Sequence, residues 1–254
     1  MGDRLKNNFC LILLLILLPW IFGGATFFGT TETGYRWIEK GGWGYTLYVP
    51  SSFDPEHPAG LVFALGRTPD DLQMTREQTK DYAAVWEEEA EKRGYVIVAP
   101  FWEPVIIDSN QHVEKFYLSM LEEVKLMHNI PHSNKVLLAG FGMGAKFAFF
   151  LAAFYPDQFG GVAMISQGPF GDSFLESFIS ARLSGPLKDQ KLPSLLLVHG
   201  EEDGVVSLLE TKRQAAQFEQ AGFRADIKNI PGMGHRHMPS ANQIILDWFE
   251  NGEA

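Results

Sequence analysis

Residues 137–168 read LLAGFGMGAKFAFFLAAFYPDQFGGVAMISQG. A short apolar run, Val136–Ala139, leads into Gly140-Phe141-Gly142-Met143-Gly144, and an apolar stretch, Ala145–Phe154, follows it. Strand, glycine turn, helix is the order in which a chain reverses sharply over the carboxyl edge of a parallel sheet. Glycine is needed where strand and helix approach too closely for a Cβ. A second apolar run, Val162–Ser166, begins after Gly160-Gly161, so the unit as a whole reads β-α-β.

The same alternation extends in both directions. Upstream, Gly44–Val49, Leu61–Leu65 and Tyr95–Ala99 read as strands. A charged helical period over Thr79–Arg93 is closed by Gly94, and Val113–His128 has Val113, Phe116, Tyr117, Met120, Leu121 and Val124 on one face. Downstream, Leu195–His199 and Ala225–Ile230 are strands, Leu208–Ala221 is a helix, and Gln243–Trp248 begins the closing helix. The fold class expected is α/β: a mostly parallel sheet with helices on both faces, in a single domain over residues 26–254. Gly168–Leu192 is the long irregular interval of the second half, and is expected to form a small cap over the carboxyl edge.

Composition narrows the partners. The 254 residues carry a net charge of −10, without a cluster of Lys and Arg, which argues against nucleic acid or an anionic membrane surface. Arg4 and Lys6 precede an uncharged run, residues 7–31, containing CLILLLILL at 10–18 and small residues at Gly23, Gly24 and Ala25. Residues 1–25 are therefore expected to be an export signal cut after Ala25, or a retained membrane anchor. The chain's one cysteine, Cys10, lies inside that run, so export implies no disulfide here. No paired His or Cys spacing suggests a metal, and the only His-x-His, His235 and His237, is weak; no cofactor is expected.

The glycine turn resembles the nucleophile elbow, Gly-x-Ser-x-Gly, of the α/β-hydrolases. Four further stretches resemble compact esterases and depolymerase-like hydrolases of that superfamily, in the same order: YTLYVPSSFDPEHPAGLVFALG (45–66), EKRGYVIVAP (91–100), PSLLLVHGEEDGVV (193–206) and IPGMGHRHMP (230–239). The resemblance implies that Asp203 is the acid and His235 the general base, with His237 as the rival histidine. It also implies an oxyanion hole built from the backbone amides of Met143 and Arg67, and a small ester or acyl compound as ligand. His199 is expected to pack locally, and His112, His128 and His132 to lie on the surface.

Two departures stand out. Gly142 occupies the serine position, so no alkoxide and no acyl-enzyme can form there. The His-Gly that the family carries after its equivalent of Leu61–Leu65 is here Leu65-Gly66-Arg67. Loss of a triad serine removes on the order of a million-fold in turnover, roughly 8 kcal/mol of barrier. The pattern is that of a pseudoenzyme binding an ester or acyl group, and equally that of an engineered inactive variant. Two other readings stay open. Water activated by His235, or Ser166 acting from its strand end, keeps an active hydrolase. Gly140, Gly142 and Ala145 also match Gly-x-Gly-x-x-Ala of dinucleotide-binding proteins, though no carboxylate ends the next strand.

Overall fold

The computed structural model describes residues 32–40, 43–66, 76–101, 113–130, 135–171, 176, 180, 184 and 189–252. Within these, eight strands form one sheet: β1 (Gly34–Lys40), β2 (Trp43–Val49), β3 (Gly60–Leu65), β4 (Tyr95–Pro100), β5 (Val136–Phe141), β6 (Gly161–Ile165), β7 (Ser194–Gly200) and β8 (Ala225–Ile230). Their order is β1-β2-β4-β3-β5-β6-β7-β8. β1 and β2 form an antiparallel edge joined to β4, and every pairing from β4 to β8 is parallel. The described helices are α1 (Arg76–Ala84), α2 (Glu87–Arg93), α3 (Val113–Met127), α4 (Met143–Phe154), α5 (Leu208–Gln220) and α6 (Pro239–Glu250). This is the α/β architecture that the sequence implies.

Side chains alternate across the central strands and so build two cores. Leu61, Phe63, Val136, Leu138, Val162, Met164, Leu195 and Leu197 pack with α3, α4 and α5. Val62, Ala64, Leu137, Ala139, Ala163, Ile165, Leu196 and Val198 pack with α1, α2 and α6. Both faces being covered, these strands are apolar throughout rather than alternating with polar residues, as parallel sheets require. The largest fully buried side chains, Trp86 and Trp248, lie in the second core.

Three expectations are corrected. β1 adds an edge strand that the sequence reading did not contain; its side chains are mostly half-exposed, and GYRWIEK lacks a clean apolar alternation. The helix expected over Thr79–Arg93 is two helices. Trp86 N–H turns back to Ala83 O at 3.0 Å, and Val85 O accepts from Asn242 Nδ2 of α6 at 2.7 Å, so Trp86 swings into the core and the helix restarts. Gly94 closes α2 in the left-handed conformation, φ 78°, with its N–H on Ala90 O. His128 is buried, not on the surface. It follows Leu121 and Val124 by seven and four residues, which puts it on the inward stripe of α3, edge-on to Phe53.

His112, His132, Arg67, the apolar run 7–31 and most of the expected cap lie outside the described residues. Among the described residues no helix is long and apolar enough to cross a membrane.

Candidate active site

The turn between β5 and α4 has the bend of a nucleophile elbow without the serine. Gly142 stands at φ 57°, ψ −115°, its N–H donating to Ile165 O of β6 at 2.9 Å. Its neighbours impose the bend. A Cβ on Gly140 would lie 2.4 Å from Gly144 O, and one on Gly144 would lie 2.2 Å from Leu65 O. Strand, helix and the loop leaving β3 therefore touch backbone to backbone, which explains both flanking glycines. Gly144→Ala is expected to destabilise the chain by about 2 kcal/mol despite alanine's better helix propensity, because backbone must move. Urea unfolding measures this; an unchanged midpoint would mean that the β3 loop gives way freely.

Met143 and Gly144 open α4 without a side-chain cap and without an acidic residue in the first turn. Their amides point out of a helix N-terminus, where partial positive charge gathers. One of the two amides expected to form the oxyanion hole, Met143, thus lies beside Gly142. The other, Arg67, is outside the described residues, one position beyond Gly66, whose carbonyl abuts Gly144.

Asp203 and His235 meet across two loops at the carboxyl end of the sheet. Asp203 follows β7, and its side chain is wholly enclosed. Its Oδ1 accepts from the amides of Val205 and Val206, both at 2.9 Å. His235 Nδ1 lies 3.0 Å from Oδ2 and 3.2 Å from Oδ1, so it donates to the carboxylate and leaves Nε2 as the free nitrogen. Burial by itself would raise the pKa of Asp203, but the Val206 amide, His235 and the Val205 amide hold it below the ordinary carboxylate value. The imidazole lies 5.6 Å, ring to ring, from Phe141, the residue before Gly142. Gly200 lets the His235 loop close on β7, since a Cβ there would sit 2.0 Å from Met233 O.

The other histidines have structural partners. His199 Nδ1 pairs with Thr211 Oγ1 at 3.0 Å in the interior, and burial lowers its pKa. His237 donates from Nε2 to Asn242 Oδ1 at 2.6 Å, with its ring against Tyr82 and Trp86. Part of that residue reaches solvent, but Nδ1 does not, and burial pushes the pKa down to about 4. His237 therefore ties the loop to α6, and it is His235 that meets the acid.

The burial and backbone strain of Ser166, which the sequence offered as an alternative nucleophile, and the contact of Lys146 escaped the sequence reading. Ser166, directly after β6, has φ 45°, a backbone conformation rare for serine. Its hydroxyl is fully buried without a partner among the described residues, next to the Ile165 carbonyl that holds Gly142. It offers no exposed nucleophile. Lys146, one turn into α4, donates to Pro169 O at 2.6 Å and fastens the segment leaving β6 onto the helix; burial lowers its pKa. Only the positive φ and the tertiary contact reveal these roles.

A strand order with the glycine turn at its centre, and an acid–histidine pair on the following loops, defines an α/β-hydrolase rather than a dinucleotide fold, whose glycine turn follows the first strand. The chain belongs to the phospholipase/carboxylesterase family, whose model matches residues 107–251. It is 29% identical over 142 residues to carboxylesterase SOBER1 of Arabidopsis thaliana, a match covering 52% of this chain and 58% of that protein. The chain spans about half the length of the curated relatives it matches. The S-formylglutathione hydrolase FrmB of Staphylococcus aureus superposes with a TM-score of 0.62 at 14% identity, covering 88% of this chain and 100% of that one. The acetyl xylan esterase of Aspergillus awamori gives 0.62 at 14%, covering 85% and 99%. Identities this low speak for the fold alone.

Proposed function

We propose that the chain is an esterase-derived protein that holds a carboxylic ester or acyl ligand at the carboxyl edge of its sheet without serine hydrolysis. The observation that carries this reading is Gly142, which keeps the elbow conformation while lacking any atom able to attack a carbonyl. The Asp203–His235 pair and the Met143 amide support a site that keeps its acid, its histidine and one backbone donor while lacking the nucleophile. The relatives' esterase names agree with an ester as the ancestral substrate.

A fluorophosphonate probe tests this directly, because it labels only an activated serine. The natural chain is expected to stay unlabelled, Gly142→Ser to label, and Gly142→Ser with His235→Ala to lose the label. Hydrolysis of a p-nitrophenyl ester by the natural chain that survives purification and vanishes with His235→Ala would sink the non-hydrolytic reading. Export or membrane attachment through residues 1–25 belongs to the same proposal. N-terminal sequencing of chain recovered from medium and membranes checks it, with Thr26 as the first residue expected after cleavage.

A further inference from the structure

We propose that His237 and Asn242 are positioning residues for His235: a hydrogen-bonded clamp, running from the break between α1 and α2 through Asn242 of α6 to His237, holds the His235 ring against Asp203. The inference deepens the reading above, in which Asp203 and His235 are the retained acid and histidine of the site.

The loop itself is the first support. Arg236 N–H donates to Gly234 O at 2.8 Å, so His235 stands at the apex of a three-residue γ-turn. A side chain at such an apex points where its two flanks direct it. The upstream flank is anchored at Met233, which is fully buried and whose carbonyl accepts from Glu202 N–H at 3.0 Å, on the loop that carries Asp203. The downstream flank is anchored at His237, whose Nε2 donates to Asn242 Oδ1 at 2.6 Å. Met233 and His237 each lie two residues from His235. The first anchor ties the turn to the acid's own loop, and the second ties it to the body of the fold.

The chemistry of the clamp is the second. Asn242 Nδ2 donates to Val85 O at 2.7 Å, and a carbonyl can only accept, so the amide has one orientation and Oδ1 must face His237. Burial keeps the His237 ring neutral, and the acceptor beside Nε2 places its one N–H there. Its Nδ1 is buried without a partner among the described residues, so the bond to Asn242 is the polar hold on this ring. His235 takes the opposite tautomer, with its N–H on Nδ1 facing Asp203. Two histidines, two residues apart, are thus fixed in opposite tautomers by acceptors from different elements.

The place of Asn242 is the third. It is fully buried in α6, on the same face as Ile245 and Leu246 of the second core. Asparagine is a poor helix former, and a buried amide is costly unless both its ends are paired. An apolar side chain would suit this place better on stability alone. What the amide adds is direction, with Val85 at one end and His237 at the other. The His237 ring is wedged against Tyr82 and Trp86, at 5.5 and 5.3 Å ring to ring.

Two substitutions at position 237 separate the bond from the bulk. His237→Phe keeps a ring against Tyr82 and Trp86 but has no donor, whereas His237→Gln gives up the ring and keeps a donor for Asn242. The first readout is the tautomer of His235 in the full chain, from long-range proton–nitrogen NMR correlations of its ring at about pH 8.5. The natural chain is expected to show the Nδ1–H form. His237→Phe and Asn242→Ala are expected to shift it to a mixture of tautomers, and His237→Gln to keep the single form. Val124→Ala loosens the other core and should leave the tautomer unchanged. The second readout is the rate of fluorophosphonate labelling of Gly142→Ser, expected to fall by about ten- to a hundredfold when His237→Phe is added and to recover with His237→Gln in its place. A single Nδ1–H form in His237→Phe, a mixture in His237→Gln but not in His237→Phe, or an equal change in Val124→Ala overturns the clamp. A tautomer shift in His237→Phe, together with no labelling of Gly142→Ser, removes the esterase-derived reading and leaves the clamp. Equal labelling of Gly142→Ser with and without His237→Phe, at an unchanged tautomer, removes the clamp and leaves that reading.

Discussion

Gly142→Ser is expected to raise the turnover of a short p-nitrophenyl ester by about a thousand- to ten-thousand-fold over the natural chain. A complete triad and oxyanion hole gain on the order of a million-fold from the serine. Each oxyanion donor contributes about a hundred- to a thousand-fold. The Met143 amide is the one that stands at the elbow, so both figures follow from a single donor, a million-fold reduced by about a thousand- or a hundred-fold for the missing second one. The measured gain therefore counts the amides in the hole, and a value near a million-fold would place a second one in the loop after Gly66. The acid is then tested within the serine background. Asp203 accepts from two backbone amides as well as from His235, so Asp203→Asn keeps much of the loop but presents the wrong hydrogen-bonding partner to Nδ1. Turnover should drop by about ten-thousand-fold, with KM little changed. Serine at φ 57° should also lower stability by about 1–3 kcal/mol, since that backbone region disfavours any side chain. A serine variant that folds, labels and yet shows no such gain would mean that the oxyanion geometry has moved.

Acidification is expected to remove several kcal/mol of stability well before the carboxylates titrate. His128 and His237 are both held neutral by burial, each with its pKa pushed down to about 4. In the unfolded chain a histidine titrates near 6.5. Below that value the unfolded chain takes up protons that the folded chain refuses, so folding weakens as pH falls from about 6.5 towards 4 and then levels off. Each residue contributes up to about 3 kcal/mol to this loss, a large share of the roughly 5–15 kcal/mol that holds a domain together. His199 adds to it in the same direction. Asp203, whose pKa is also lowered, adds a further loss in the same direction at lower pH, where the unfolded chain's carboxylate takes up a proton that the folded one resists. Urea midpoints at pH 7, 5.5 and 4.5 should fall steeply. The fall should be shallower in His237→Gln, which retains a donor for Asn242, and in His128→Phe, which fills an apolar niche beside Phe53. An identical slope in both variants would show that other groups drive the loss.

The central strands were legible because both faces of a parallel sheet are buried, which makes Val136–Ala139 or Leu195–His199 plain in the chain. Asp203 and His235 were legible through the family resemblance, since each stands in a short, turn-rich motif after a strand and in the order that the family keeps. What escaped depends on contacts far apart in sequence. The break at Trp86 comes from an asparagine more than 150 residues away on α6, and nothing local in Thr79–Arg93 announces it. Edge strand β1 is half-solvated and takes its pairing from β2, so its own pattern is faint. The burial of His128 was available from its spacing to Leu121 and Val124, and a polar side chain concealed it. The strained backbone of Ser166 has no sequence signature at all, since serine rarely occupies that conformation and the neighbouring β7 carbonyl of Val198 fixes it there.

Gly140 and Gly144 shape the elbow through backbone contacts that do not involve residue 142. Position 142 is thus a socket whose form is set before anything is placed in it. Serine, cysteine or alanine inserted there would each stand at the same helix end, at a similar strain. If the proposed function holds, oxygen ester chemistry, thioester chemistry and pure ligand retention differ by a single exchangeable side chain, and a small library at this one codon would sample all three.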